Sequence, residues 1–276
     1  MGWIISNRSF SKMGINELMP NISKQDIVNS LIEVGVEKGD KLFVHNNSDL
    51  FKYFDGCKKN KDSAKLLLNC LKDAVGDDGL IIVPTFFYDF CKGTDFDIDN
   101  TPSQVGYFST YILNNNESIR TSHPIFSVAM IGRSAKELCE NISTDAFGKE
   151  SIFDKLYNLS RSKILFFNSN FDTCTFVHYV EQMYNVNYRY IKEFKGDAII
   201  GGEKFSVLCT YFVRPLDGTV NTDMDKLELH VIKKKLLKTA NLYNGMIKCI
   251  GVNDFVNETS GMLNKDKYWL LSSSDK

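Results

Sequence analysis

The chain has 276 residues, 43% of them hydrophobic and 24% charged, and its 33 basic and 34 acidic side chains leave a formal charge of -1. That composition supplies an ordinary soluble core, and the length admits one large domain or two small ones. With no basic stripe and no apolar run near the roughly 18 residues of a membrane span, it argues against nucleic-acid and membrane partners.

Seven cysteines, at 57, 70, 91, 139, 174, 209 and 249, stand singly with no Cys-x-x-Cys pair. Their spacing excludes zinc ribbons and thioredoxin-like motifs. The first residues lack the basic-then-apolar build of a signal peptide, so free thiols in a reducing cytoplasm are expected. Met1, Gly2 and Ser6 fit the loose myristoylation pattern, which is short enough to arise by chance.

In chain order, Ser23 and Asp26 open a helix as a capping box, Ile27, Leu31 and Val34 form its apolar stripe, and Gly35 ends it. After a turn at 38–40, residues 41–45 read as a buried strand that closes on His45, Asn46, Asn47 and Ser48. A helix over 64–75 stops at Gly76, and a second buried strand over 80–83 ends at Pro84 and Thr85. Helix, turn and strand thus occur twice, which predicts an α/β layer with a largely parallel sheet. Ligands of such sheets bind beyond the carboxyl ends of the strands. Segments 45–48, 85–88 and 168–178 should therefore border a pocket.

Residues 86–102 are polar and aromatic-rich, with Asp89, Asp95, Asp97 and Asp99. The glycine and closing glutamate of an EF-hand are missing, so a solvated loop is expected rather than a Ca²⁺ site. A helix over 106–114 and strands over 126–131 and 164–167 follow. Beyond Tyr190, residues 198–207 predict a β-hairpin with a glycine turn, continued in strand to 213. Residues 227–242 read as an amphipathic helix with Lys233, Lys234 and Lys235 on its wet side, and the last 30 residues mix strand and helix. No linker or repeat interrupts the chain, so residues 1–276 are read as one domain.

The densest chemistry lies at 173–181. If a helix starts at Thr175, His178 and Glu181 share one face, since positions i and i+3 are neighbours. A carboxylate beside an imidazole fixes its tautomer and raises its basicity, as a general base near neutral pH requires. A surface His-Glu pair is the plain alternative. Cys174, four residues before His178, admits a thiol nucleophile, although nothing in its neighbours marks an activated thiolate. His230 has no obvious partner and reads as structural or exposed. The zinc spacing His-Glu-x-x-His is absent, and no metal is required. Gly-rich phosphate cradles are absent too, which leaves Asn46 to Ser48 and Gly148 to Ser151 as candidate phosphate-binding amides or simple turns.

Several ordered segments then converge: His45 to Ser48; Gly76 to Phe86; Arg120, Thr121, His123 and Pro124 with Ser127; Phe147, Gly148 and Ser151; and Asp172 with Thr175, His178 and Glu181. Together, over roughly residues 20 to 270, they resemble the aminoglycoside 3-N-acetyltransferase family. His-Pro-x-x-Ser and Thr-x-x-His-x-x-Glu are the most specific parts. The resemblance implies a non-GNAT α/β fold: a three-layer α/β/α sandwich on a central mostly parallel or mixed sheet, with a C-terminal β-hairpin and helix region.

It also implies transfer of acetyl from acetyl-CoA to an amine of an aminoglycoside or amino sugar, with His178 as base and Glu181 orienting it or holding the ammonium. His45, Asn46, Asn47, Ser48, Thr121, His123, Ser127, Gly148 and Ser151 would line the CoA side. Asp172 and Tyr88 would join Glu181 at the acceptor, with no metal. Two departures stand out: Asn46 and Asn47 replace the family's usual Ser-Ser, and Ile152 stands where proline is common. Alternatives left open are a nucleotide-linked amino sugar of surface polysaccharides as acceptor, a Cys174–His178 thiol enzyme, and a non-catalytic CoA-binding relative. The oligomeric state is open, a homodimer being one arrangement.

Overall fold

The computed structural model describes residues 21–272, so Met1, Gly2 and Ser6 of the myristoylation pattern lie outside the described residues. The chain runs α1 (Lys24–Glu33), β1 (Lys41–Asn46), α2 (Asn60–Val75), β2 (Leu80–Pro84), β3 (Phe96–Asp97), α3 (Tyr107–Leu113), β4 (Ile119–Arg120), β5 (Val128–Gly132) and α4 (Ala135–Cys139). It continues through α5 (Ile152–Asn158), β6 (Ser162–Phe167), α6 (Phe176–Tyr184), β7 (Tyr190–Ile200), β8 (Glu203–Val213), α7 (Met224–Lys233), β9 (Lys238–Leu242), β10 (Gly245–Gly251) and α8 (Val252–Lys265).

Seven strands form one sheet in the order β4-β5-β2-β1-β6-β10-β9. Its centre, β2-β1-β6, is parallel, and the flanking pairs are antiparallel, so the sheet is mixed. Alternation of side chains across the pleat sorts the core into two layers. Leu42 and Val44 of β1 join α1, α2 and α3 on one face. Phe43, between them, turns to the other face, where its ring packs 5.8 Å from Phe153 of α5 and 5.6 Å from Phe176 of α6. Helices on both faces of one sheet make the three-layer sandwich.

The capping box at Ser23 is real: its Oγ accepts from the Asp26 amide, and its own amide donates to Asp26 Oδ2. The hairpin is longer than residues 198–207. β7 and β8 pair over their whole length, and β3 adds in parallel to make a separate three-stranded sheet. The polar loop 86–102 therefore contains a strand. The single helix expected over 227–242 is corrected to a helix, a break and a strand. Helix α7 ends at Lys233, Lys235 adopts a left-handed φ of 60°, and residues 238–242 pair with β10 at the sheet edge. There Ala240 and Leu242 are buried while Thr239 and Asn241 face solvent, a period of two.

This arrangement brings the carboxyl ends of β1, β2 and β6 together. β6 leads through a short 3₁₀ turn at Phe171–Thr173 into α6, which carries His178. Among the described residues no helix is long and apolar enough to cross a membrane.

Candidate active site

A cleft of about 420 Å³ opens at those strand ends. β1 contributes His45 and Asn46, the β2 end contributes Pro84, Phe86 and Tyr88, and the turn into α6 contributes Ser169, Asp172, Thr173, Cys174 and Thr175. His178 and Tyr211 of the hairpin also line the cleft, and both rings pack against Phe147. All three segments that the strand-end rule pointed to reach the cleft. The alternation persists beyond β2, so Phe86 and Tyr88 face in while Thr85 and Phe87 do not.

His178 Nδ1 lies 2.9 Å from Glu181 Oε2, one helical turn on. Glu181 has no exposed surface, and the same oxygen lies 2.8 Å from Arg189 Nε. Burial works against the Glu181 charge, but the His178 hydrogen bond and the Arg189 guanidinium outweigh it and hold the carboxyl below its ordinary range. An ionised acceptor at Nδ1 makes that nitrogen the protonated one and leaves Nε2 as the basic lone pair. The His178 side chain keeps a quarter of its surface exposed and lines the cleft, so it can meet a substrate while Glu181 cannot.

On the opposite wall, Ser48 Oγ donates to Asn46 Oδ1 at 2.8 Å, which occupies the oxygen of that amide. Asn46 Nδ2 is buried with no hydrogen-bond partner among the described residues, as is His45 Nε2. His45 stacks on Phe166 at 5.4 Å, and burial pushes its ring down to about 3, so it is a neutral imidazole. Two orphaned polar atoms on residues of the cleft wall fit a ligand rich in carbonyl and amide groups. Asn47 points elsewhere: its Oδ1 accepts from the Asp49 amide and caps a second 3₁₀ turn, Ser48–Tyr53, beside a separate groove with Lys52 and Asn168.

The remaining expected residues lie behind the cleft. Thr121 Oγ1 accepts from the Val128 amide, and Ser127 Oγ donates to the Thr85 carbonyl while accepting from Arg120 Nε. His123 Nδ1 accepts from the Ile125 and Phe126 amides, and burial lowers its ring to about 4. Ser151 caps α5 through the Asp154 amide. A Cβ on Gly148 would fall 2.2 Å from Asp145 Oδ2, so no side chain fits against the Asp145–Gln182 pair. Asp89, Asp95, Asp97 and Asp99 are outside the cleft wall; Asp95 and Asp97 pair with Lys204, and Asp89 with Lys92. Cys174 does line the cleft, but burial pushes its thiol far up, away from thiolate. His230 is not partnerless: its Nε2 lies 2.8 Å from Glu258 Oε2. Among the described residues no group of three His, Cys, Asp or Glu is arranged to hold a metal ion.

The family model for aminoglycoside 3-N-acetyltransferases matches residues 51–264, most of the chain. The protein belongs to the aminoglycoside 3-N-acetyltransferase family. Its fold is shared with solved members. Aminoglycoside acetyltransferase AAC(3)-Xa superposes with a TM-score of 0.77 at 16% identity, covering 91% of this chain and 94% of that one. AAC-IIIb, solved with CoASH, gives 0.76 at 15% identity over 88% and 96% of the two chains. AAC-VIa bound to sisomicin gives 0.75 at 19% identity over 89% and 98%.

As a member of this acyltransferase family, the chain has three site features that its sequence did not announce. Arg189 follows the helix it serves by only a few residues, but no spacing rule ties an arginine in a loop to a buried glutamate. Tyr211 reaches the cleft from a hairpin with no local motif. Val105, Gly106 and Ser109 arrive at the start of α3, where Gly106 takes a φ of 81° with room for a Cβ only 3.7 Å from the Asn46 carbonyl.

Proposed function

We propose that the protein is a direct acetyl-CoA-dependent N-acetyltransferase of an aminoglycoside or amino sugar, with His178 as general base. The observation that carries this is the buried Glu181 carboxylate 2.9 Å from His178 Nδ1, in a ring that also walls the cleft. An ammonium has no lone pair for a thioester, so its proton must leave at or before bonding. The ammonium gives one proton to water, and His178 Nε2 takes the second as the amine nitrogen bonds to the thioester carbonyl carbon. The C–S bond then breaks, and His178 returns its proton to the departing sulfur, so that CoA leaves as the thiol. No covalent enzyme intermediate is needed, and the buried, protonated Cys174 supports the direct route.

Asn46, with its oxygen tied to Ser48, supplies a buried N–H donor for the charge that gathers on the acyl oxygen, a contribution worth roughly a hundredfold or more where tested. Glu181, fully enclosed, acts as a positioning residue. That leaves Asp172 as the acidic side chain of the described cleft wall, which Tyr88 also lines, to meet the acceptor ammonium. A lone carboxylate suits an acceptor of low positive charge, which favours an amino sugar, including a nucleotide-linked one, over a polycation. The seven unpaired cysteines suit a cytoplasmic enzyme.

The test is release of CoA thiol from acetyl-CoA against two acceptor panels, aminoglycosides and nucleotide-linked amino sugars. Turnover on either panel should fall about a hundred- to ten-thousandfold in His178→Ala, with the fold intact by circular dichroism. Near-normal turnover in that variant would remove His178 as base. Turnover confined to one panel fixes the acceptor class.

A further inference from the structure

Glu181 Oε2 is shared between His178 Nδ1 at 2.9 Å and Arg189 Nε, part of a permanent cation, at 2.8 Å. The Arg189 side chain is 3% exposed and is anchored at its far end, where Nη2 donates to Thr222 Oγ1 at 3.2 Å. We propose that Arg189 is a positioning residue of the transfer site, whose guanidinium balances the buried Glu181 carboxylate and thereby sets how firmly His178 holds a proton. The inference rests on the reading of His178 as the base.

The physical reason is a matter of charge count. A buried carboxylate paired only with an imidazole would hold a proton on the pair to high pH, since the charged form is costly without water. A base that stays protonated cannot take a proton from an amine. With Arg189 in place, Glu181 and Arg189 cancel, and the ring can be neutral while the carboxylate remains ionised. Glu181 still accepts from Nδ1–H, so orientation and tautomer are kept.

Among the described residues the surroundings of Glu181 supply no substitute for this cation. From the segment after α6 comes Tyr188, whose phenol is raised first by burial and then by the Glu181 charge. From β8 comes Tyr211, also a neutral phenol raised by burial. Asp145, in the loop before α5, is taken up by Gln182, and His123 behind it is neutral. The turn into α6 offers Asp172 and the protonated Cys174, and β1 offers the neutral His45 across the cleft. On α6 itself, Tyr179 bonds Asp154 of α5 and Tyr184 bonds the Leu263 carbonyl of α8. Arg189 is the cation that faces Glu181 among the described residues.

The experiment follows the His178 ring resonance by NMR across pH in the free wild-type protein, Arg189→Met and Arg189→Lys, with kcat/KM against pH measured on the same proteins. Arg189→Met should raise the His178 midpoint by about one pH unit or more. The acidic limb of kcat/KM should move up with it, giving about a tenfold loss at a pH on that limb and recovery above it. Arg189→Lys should restore both. If Arg189→Met does not fold, Arg189→Gln, which keeps a donor without the charge, carries the same expectation. An unmoved midpoint, or a loss of activity uniform in pH, overturns the inference and marks Arg189 as merely structural. A raised midpoint in a protein without transferase activity would uphold the charge balance and remove the base reading instead.

Discussion

Cys174 lies four residues before His178 and faces the same cleft, which is the spacing that invites a thiol-acyl enzyme. Environment decides against it. The side chain is 1% exposed, burial pushes the thiol up, and the first amides of α6 only partly offset that. A nucleophilic cysteine needs thiolate at working pH, and this one has almost none. Cys174→Ala should therefore leave kcat within about twofold of wild type while costing about 1 kcal/mol of stability for the lost sulfur packing. Intact mass after incubation with acetyl-CoA should show no acyl adduct on the wild-type protein. An adduct that disappears in Cys174→Ala would defeat this account. The pair His178 and Glu181 was legible from spacing alone, because helix periodicity places i and i+3 together. Whether either residue faced a substrate was not legible, since exposure depends on what the hairpin and the Arg189 segment lay over them.

At the scale of elements, Arg120 on β4 clasps the loop that ends in the cleft wall. Its guanidinium is buried, donates to the Thr85 and Thr101 carbonyls and to Ser127 Oγ, and lies 4.7 Å over the Phe96 ring. Burial, offset in part by Asp97, lowers its pKa to about 10, still charged at neutral pH. Removing it strands the buried Thr101 carbonyl, at about 1–3 kcal/mol, and leaves the Thr85 carbonyl to Ser127 Oγ alone. Arg120→Met should lower thermal stability by several degrees and raise the acceptor KM more than it lowers kcat, because Phe86 and Tyr88 follow Thr85 directly. Equal effects on KM and kcat would show that the clasp does not position the acceptor wall. The sequence displayed Arg120 beside Thr121 and His123 but not its backbone acceptors Thr85, Ile98 and Thr101, which lie 19 to 35 residues away. The miss at 227–242 has a related cause. Leu227 and Val231 set a helical stripe, and the period-two strand that follows is too short to break the pattern until Lys235 turns left-handed.

Across the whole molecule, two histidines sealed in the apolar layers make the fold acid-sensitive. Burial pushes His45 down to about 3 and His123 to about 4, the latter partly offset by the Thr144 carbonyl and Asp145. In the unfolded chain both take a proton near pH 6.5. Between about pH 6.5 and 4 the unfolded state thus binds two more protons than the native state, and stability falls as pH falls. Each proton contributes a slope of about 1.4 kcal/mol per pH unit, so the two together give about 2.7. Below pH 4 His123 protonates in the fold, and its share of the slope ends. The depressed carboxyl of Glu181 acts lower still, with its stabilisation present above the ordinary glutamate value and lost as pH falls through its native one. Urea midpoints across pH 5 to 6 read the slope in a range where carboxylates contribute little. His123→Asn keeps an oxygen to accept the Ile125 and Phe126 amides but removes one titration. It should halve the slope, whereas an unchanged slope would mean that His123 is protonated in the native fold and that the turn before Ser127 carries a buried charge.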